Sequence, residues 1–304
     1  MYVATKSKHN PIFIPDRDSH WESFAAFNMC PIKKDGEYYG LYRAISSEDH
    51  LRDPRRISTI GIARSSDGTH FEERAPFITP TEEWEKFGCE DPRITYFEEE
   101  YYIFYTALGT YPFSKEGIKV ALARSKDLKK VDSKHLITPF NAKAMTLFPE
   151  RINGKITVMF TAHSDSPPAR TSIAQVDTIE ELFEEKFWDT WHKNIDMHAI
   201  SLARTETDHV EIGAPPIKTE HGWLLVYSHI QNYFHSVENL DTIFGIEAVL
   251  LDINDPQKII GRTRGPILVP SEPYELAGFV GNVIFPTGAL IEKDTLEIFY
   301  GAAD

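Results

Sequence analysis

The chain has 304 residues, with 32 lysines and arginines against 46 aspartates and glutamates, for a net charge of −14 at pH 7. That balance, without any lysine- or arginine-rich block, excludes a reader of phosphate backbones and so a nucleic-acid partner. Hydrophobic residues at 41% suffice for a sizeable core, yet no run of eighteen apolar residues is present to cross a membrane as a helix.

From its start, MYVATKSKHNPIFIPDRD lacks a basic segment followed by an apolar one, so no secretory leader is expected. Cys30 and Cys89 are too few for a disulfide scaffold, and a cytoplasmic location is expected. No Pro/Gly/Ser linker or shift in composition divides residues 1–304, which are expected to form one domain.

One short apolar pattern recurs along the chain: YYGLYRA at 38–44, YYIFYTA at 101–107, ITVMFTA at 156–162, WLLVYSH at 223–229 and LEIFYGA at 296–302. Each copy is rich in aromatic and β-branched residues and predicts a strand. Asp-Gly, Asn-Gly and His-Gly precede the first, third and fourth copies, as tight hairpin turns require. A second strand follows four of them, at IGIARSSDGTHF (60–71), VALARSKDLKKV (120–131), TSIAQVDTIEEL (171–182) and EAVLLDINDPQKII (247–260). Helical periodicity is nearly absent. Thr178–Trp188 reads as one helix or an extended charged turn, and Thr81–Phe87 as one short turn. Five copies at 55–73-residue spacing predict an all-β five-bladed propeller, with two tandem β-sandwiches as the alternative. The fifth copy ends near Asp304, so either the N-terminal segment closes the last blade or the natural chain continues.

Polar residues that interrupt the apolar repeats are the candidates for chemistry, because propellers bind ligands at one mouth of the central channel. In Gly88-Cys89-Glu90-Asp91-Pro92-Arg93-Ile94, two adjacent carboxylates lead through a proline into a core strand. Proline biases Asp91 towards an extended backbone, and burial of such a carboxyl favours general-acid use. The same residues also read as a turn aspartate with a surface arginine. Asn28 precedes the first strand, and Arg43 stands where other copies carry threonine or serine; an arginine there can bind sugar hydroxyls or phosphate. His163 and His229 end the third and fourth strands, as sugar contacts or structural histidines, and no metal motif accompanies them. Glu211 lies in HVEIGAPPIKT, and Glu247 opens an otherwise apolar strand, where an ionised carboxylate needs pairing or solvent. No GxGxxG, GxxxxGK[ST], GxSxG or CxxC is present, which leaves nucleotide, serine-hydrolase and redox readings without support.

Asn28 with KKDGEYYGLYRA, then IGIARSSDGTHF, GCEDPRI, LFPERINGK, GAPPIKTEHGWLLVY, DPQKIIGRTRGPILVP, GNVIFPTG and IFYGAAD together resemble glycoside hydrolase family 130, the mannoside phosphorylases and β-mannosidases. The resemblance runs from Asn28 to Asp304 and implies a five-bladed propeller. It also implies Asp91 as general acid, with Asn28, Arg43, Glu90 and Asp304 binding the mannosyl unit. Inversion by water needs a second carboxylate, whereas inversion by phosphate needs cations. The chain departs from the phosphorylase pattern. ITVMFTAH lacks the arginine of a His-Arg pair, Glu211 replaces a lysine, and Glu247 replaces a small residue. Two like charges about 4 Å apart cost roughly 4 kcal/mol at an effective dielectric of 20, so these carboxylates should repel phosphate.

The expectation is therefore an inverting, exo-acting β-mannosidase on short β-1,2- or β-1,4-mannosides, with Glu211 or Glu247 as base and His163 and His229 near the sugar. The alternative is a β-mannoside phosphorylase releasing mannose 1-phosphate, with Arg170 and Lys218 as phosphate ligands; a non-catalytic sugar-binding propeller is a third reading. A small oligosaccharide is the expected partner. No metal or cofactor is expected, with inorganic phosphate a co-substrate only in the alternative.

Overall fold

The computed structural model describes residues 4–46, 57–166, 168–233 and 242–303. Its strands are short antiparallel hairpins joined in sequence. The first sheet has β1 (Ala25–Lys34), β2 (Glu37–Ile45), β3 (Ser58–Ser65) and β4 (Glu72–Ile78) in that order. The second repeats the pattern with β5 (Cys89–Phe97), β6 (Glu100–Leu108), β7 (Ile118–Ser125) and β8 (Ser133–Leu136). The third holds β9 (Ala142–Leu147), β10 (Ile156–Ala162) and β11 (Arg170–Val176). The fourth runs β12 (His209–Ile212), β14 (Gly222–Gln231), β15 (Ile243–Leu251) and β16 (Ile259–Arg262), with β13 (Ile217–Thr219) also on β14. Last comes a two-stranded ribbon, β17 (Ile284–Glu292) with β18 (Thr295–Ala302).

The architecture is all-β and propeller-like. The first strands of successive sheets touch in turn, β1 with β5, β5 with β9 and β9 with β12, while β17 lies against β1. The five-blade expectation is corrected here: four blades of three or more strands form, and the fifth repeat makes only the ribbon. Its physical cause is a shortage of partners, since no strand is formed by the described residues before β1. Residues 4–15 instead run as irregular chain beside β18, held by Ala4 N to Ile267 O at 3.2 Å, Lys6 Nζ to Glu275 Oε2 at 2.6 Å and Asn10 Nδ2 to the Tyr300 hydroxyl at 3.2 Å. A cavity of about 680 Å³ remains between that segment and β18.

The first four repeat motifs are the second strands of their sheets, with other strands on both sides, whereas the fifth is β18 and pairs with β17 alone. Every residue of β10 and all of β6 but Glu100 are buried. A strand covered on both faces needs a continuous apolar run rather than alternation, which is the pattern of YYIFYTA and ITVMFTA. The hairpins close as the turn residues require: Asp35-Gly36 (φ 51° and 86°) and Asn153-Gly154 (φ 51° and 81°) are left-handed, matching the strand twist. The charged stretch after β11 splits into a 3-10 turn, Ile179–Phe183, and a helix α1 (Glu185–His192). Trp188 and Trp191 of α1 are buried with Phe104, Val158 and Phe160, and Trp191 Nε1 donates to Ile173 O of β11 at 2.9 Å. Among the described residues, no helix is long and apolar enough to cross a membrane.

Candidate active site

Two β-bulges build the centre of the site. Cys89 and Glu90 pair with Ala107 and Thr106, after which the register slips and Asp91 and Pro92 protrude before Arg93 resumes opposite Phe104. In β1 the register slips in the same way, leaving Asn28 and Met29 between the Phe27–Arg43 and Cys30–Leu41 pairs. Asn28 (φ 54°) and Asp91 (φ 51°) both take the left-handed backbone that Asn and Asp tolerate best among residues with a Cβ, so the extended backbone expected of Asp91 before Pro92 gives way to the bulge. Because β1 and β5 are neighbours, the bulges meet, and Asn28 Nδ2 donates to Asp91 Oδ1 at 2.8 Å.

Arg43, opposite Phe27, completes this centre. Its guanidinium pairs with Glu90, lies 3.9 Å from Asp91, and packs 4.9 Å from the centre of the Phe27 ring. Burial pushes the Glu90 carboxyl above its ordinary pKa, the Arg43 charge opposes this, and the Asp91 charge adds to it. The other Asn28 atom, Oδ1, is buried against Gly301, where a Cβ would approach to 1.9 Å. Glycine at 301 is therefore required for Asn28 to hold Asp91.

Arg93 fixes the acid loop to the fourth blade. Only 1% exposed, it donates to the carbonyls of Asp91 (3.1 Å) and Pro92 (3.2 Å) behind it. Across the interface it donates to the carbonyls of Ile212 (3.4 Å) and Gly213. Burial lowers its pKa, while the charges of Asp91, Cys30 and Glu211 act to keep it protonated. From the sequence this arginine reads either as a partner holding the neighbouring carboxylate ionised or as a surface residue; the structure buries it, and its one sequence signal is its place two residues after Asp91.

Lys143 was missed altogether. It sits on β9 opposite Thr161, next to a third bulge whose first residue, Ala144, again has φ 53°. Its Nζ bonds Asp165 Oδ1 at 2.7 Å. Burial works against its charge, but the carboxylates of Glu211, Asp165 and Glu90 together hold its pKa above the ordinary lysine value. Lys143 thus interacts electrostatically with both Glu90 and Glu211, the latter on β12. Glu211 in turn meets His209 Nε2 at 3.0 Å, and the His209 ring stacks on Tyr233, with centres 4.8 Å apart.

The remaining candidates separate from this centre. Glu247 is fully buried, held by Arg204 Nη2 at 2.7 Å, the Tyr227 hydroxyl at 2.9 Å and His229 Nδ1 at 3.2 Å. Burial alone would raise its pKa, but the bonds from His229, Arg204 and Tyr227 outweigh it and pull the group down to about 2. His229 is equally buried, with its Nε2 on Asp208 Oδ2 at 3.1 Å, so both groups are spent inside the fourth blade. His163 packs against His192, nitrogens 3.0 Å apart, and its pKa is lowered by burial and by the charges of His192, Arg170 and Lys115. Arg170, opposite Ala162 at the same end of β10, pairs with Asp196 at 3.3 Å. Lys218 pairs with Glu150 and lies opposite Trp223; Glu211 lies opposite Ser228. Those five residues of strand separate Lys218 from Glu211 by about 17 Å, so it does not join the site. Asp304 lies outside the described residues. Among the described residues no three His, Cys, Asp or Glu side chains are grouped to hold a metal ion.

A glycoside hydrolase family 130 model, described as beta-1,4-mannooligosaccharide phosphorylase, matches residues 16–304. The chain belongs to this family. It is 32% identical over its whole length to a 1,2-beta-oligomannan phosphorylase of Thermoanaerobacter sp. (strain X514), covering 95% of that protein. Over 251 residues, 82% of this chain and 64% of the relative, it is 35% identical to a beta-1,2-mannobiose phosphorylase of Listeria innocua. The solved structure of the Listeria innocua beta-1,2-mannobiose phosphorylase with beta-1,2-mannobiose superposes with a TM-score of 0.74 at 28% identity, covering 99% of this chain and 93% of that one. The expected hydrolase is corrected by these relatives, which are named as phosphorylases. The physical reason is in the family 130 site itself. Repulsion of phosphate by Glu211 and Glu247 assumed unpaired carboxylates, whereas Glu247 is buried against Arg204, Tyr227 and His229, and Glu211 is bonded to His209 and attracted by the Lys143 charge.

Proposed function

We propose that this family 130 protein is an inverting β-mannoside phosphorylase that releases mannose 1-phosphate from short β-mannosides. The observation that carries the reading is the charge balance at the channel mouth. Glu247 is paired with the Arg204 guanidinium, Glu211 is bonded to His209, and Lys143 is a positive group in electrostatic interaction with both Glu90 and Glu211. Similarity over the whole chain to proteins named phosphorylases supports the same reading.

In this scheme Asn28, Arg43 and Glu90 hold the mannosyl unit, and Asp91 protonates the glycosidic oxygen, directly or through a sugar hydroxyl. The bond from C1 to that oxygen breaks, and a phosphate oxygen attacks C1 from the opposite face. Configuration inverts to the α-phosphate, and a phosphate proton restores Asp91. Phosphate is already anionic, so no base is required; what it needs is positive charge, which we assign to Lys143. Two free buried cysteines fit a reducing cytoplasm, where we place the protein.

The test is product analysis on β-1,2- and β-1,4-mannobiose with and without millimolar phosphate. Mannose 1-phosphate formed only with phosphate is expected. Free mannose appearing at the same rate without phosphate would overturn the proposal.

A further inference from the structure

A tight loop leaves the second blade beside the acid. Phe87 N bonds Leu108 O at 2.9 Å and Leu108 N bonds Gly88 O at 3.0 Å, so the chain leading to Asp91 and the chain leaving β6 run together. From there residues 109–117 close on themselves, Gly109 N to Gly117 O at 2.8 Å and Gly117 N to Ser114 O at 3.0 Å. Lys115 Nζ extends from this loop to Ser166 Oγ at 3.5 Å, next to Asp165, the partner of Lys143.

This loop presents aromatic rings to solvent. Tyr111 and Phe113 are 47% and 45% exposed, edge to face with centres 5.5 Å apart, and Tyr111 lies 6.2 Å from Phe87. Phe87 is four residues before Asp91, at most about 14 Å of extended chain. The rings therefore lie on the loop that runs beside the chain leading to Asp91, at the same end of the second blade. An aromatic face carries negative charge density and attracts the positively polarised C–H face of a pyranose ring. A loop closed by its own hydrogen bonds holds such rings in place before binding, so little ordering is lost when a sugar arrives.

We propose that Tyr111 and Phe113 form a stacking platform for an acceptor-side sugar, so that the enzyme favours manno-oligosaccharides longer than the disaccharide. This rests on the phosphorylase reading of the site. The rings touch none of Asp91, Asn28, Arg43 or Lys143 in the interactions described above, so their removal should spare the chemistry.

The experiment compares the wild type with Tyr111→Ala/Phe113→Ala on β-1,2-mannobiose and β-1,2-mannotetraose, following mannose 1-phosphate. The expected result is a rise of about tenfold in KM for the tetraose, a change of 1.4 kcal/mol, with kcat and the mannobiose constants within twofold. Tyr111→Phe, which keeps the ring, should restore the tetraose KM. Equal losses on both sugars, or no loss on either, would overturn the platform. If the wild type makes no mannose 1-phosphate at all, the phosphorylase reading fails, and calorimetric binding of the two sugars tests the platform alone. Selective loss of tetraose affinity in the double variant supports it, and unchanged or non-selective affinity overturns it.

Discussion

Replacing Glu247 by glutamine separates a structural carboxylate from a catalytic one. The group is buried, and its pKa falls from the ordinary 4.5 to about 2 in the folded protein. A carboxylate with a depressed folded pKa contributes stability that is fully present above its unfolded pKa and is lost as pH falls through its folded pKa. A shift of about 2.5 units at 1.36 kcal/mol per unit gives about 3 kcal/mol at pH 7, disappearing between about pH 4.5 and pH 2. At about 2.1 cal/mol/K per residue, unfolding this chain carries an entropy near 0.6 kcal/mol/K, so Glu247→Gln should lower Tm by about 5 °C at pH 7. Glutamine keeps some of the bonds from Arg204 and Tyr227, which makes this an upper value. Calorimetric Tm against pH should show the wild type and variant converging as pH drops below 4.5. Phosphorolysis of β-1,2-mannobiose at 25 °C should persist with kcat within a few-fold of wild type. An unchanged Tm with a kcat loss above a hundredfold would refute the argument and return Glu247 to the chemistry.

Three further substitutions probe the centre. Asp91→Asn should lower kcat by roughly 10²–10⁴-fold with little change in Tm, because a general acid is removed while the Asn28 contact can re-form; retention of turnover would remove Asp91 from the acid role. Lys143→Met should raise the KM for phosphate more than the KM for mannobiose, since it deletes charge at the mouth; equal rises, measured by varying each substrate in turn, would count against a phosphate role. Gly301→Ala should cost about 1–3 kcal/mol and at least tenfold in kcat/KM, because its methyl lands 1.9 Å from Asn28 Oδ1. Thermal melts and steady-state rates check this, and a Gly301→Ala protein with wild-type activity would show that Asn28 need not hold Asp91.

The second strands were the most legible part of the sequence. Covered on both faces, they leave no room for polar alternation, so YYIFYTA and ITVMFTA announce themselves without structural help. Asp35-Gly36 and Asn153-Gly154 were equally plain, whereas the left-handed pair Glu98-Glu99 (φ 45° and 67°) joins β5 to β6 without any turn residue to mark it. Counting repeats misjudged the blades, because a repeat reports one strand and cannot report whether others pair beside it. The partners of the two glutamates are hidden for a related reason. Glu211 and Glu247 are visible in the sequence, but Arg204 reaches Glu247 from a loop and Tyr227 from the neighbouring strand, and Lys143 acts on Glu211 from another blade, so these pairings leave no mark in local spacing; His209, two residues before Glu211 on β12, is the local exception.

The bulges explain why the site residues themselves were only half legible. Asn28, Asp91 and Ala144 each open a two-residue slip on the first strand of a blade, with φ 54°, 51° and 53°. Equivalent places in three blades thus turn the chain in the same way, and the residues just before them, Phe27, Glu90 and Lys143, face Arg43, Thr106 and Thr161 across the sheet. A left-handed backbone costs an ordinary L-residue roughly 1–2 kcal/mol, less for Asn and Asp with their locally bonding side chains. The first two blades use those types and so left a trace; the third carries alanine and left none. Lys143, to which we assign the phosphate, was hidden because its neighbour in the bulge is the one residue of the three without a polar side chain. The site is thereby built on a repeated backbone device rather than on a linear motif, with Asn28, Asp91 and Lys143 arriving one blade at a time.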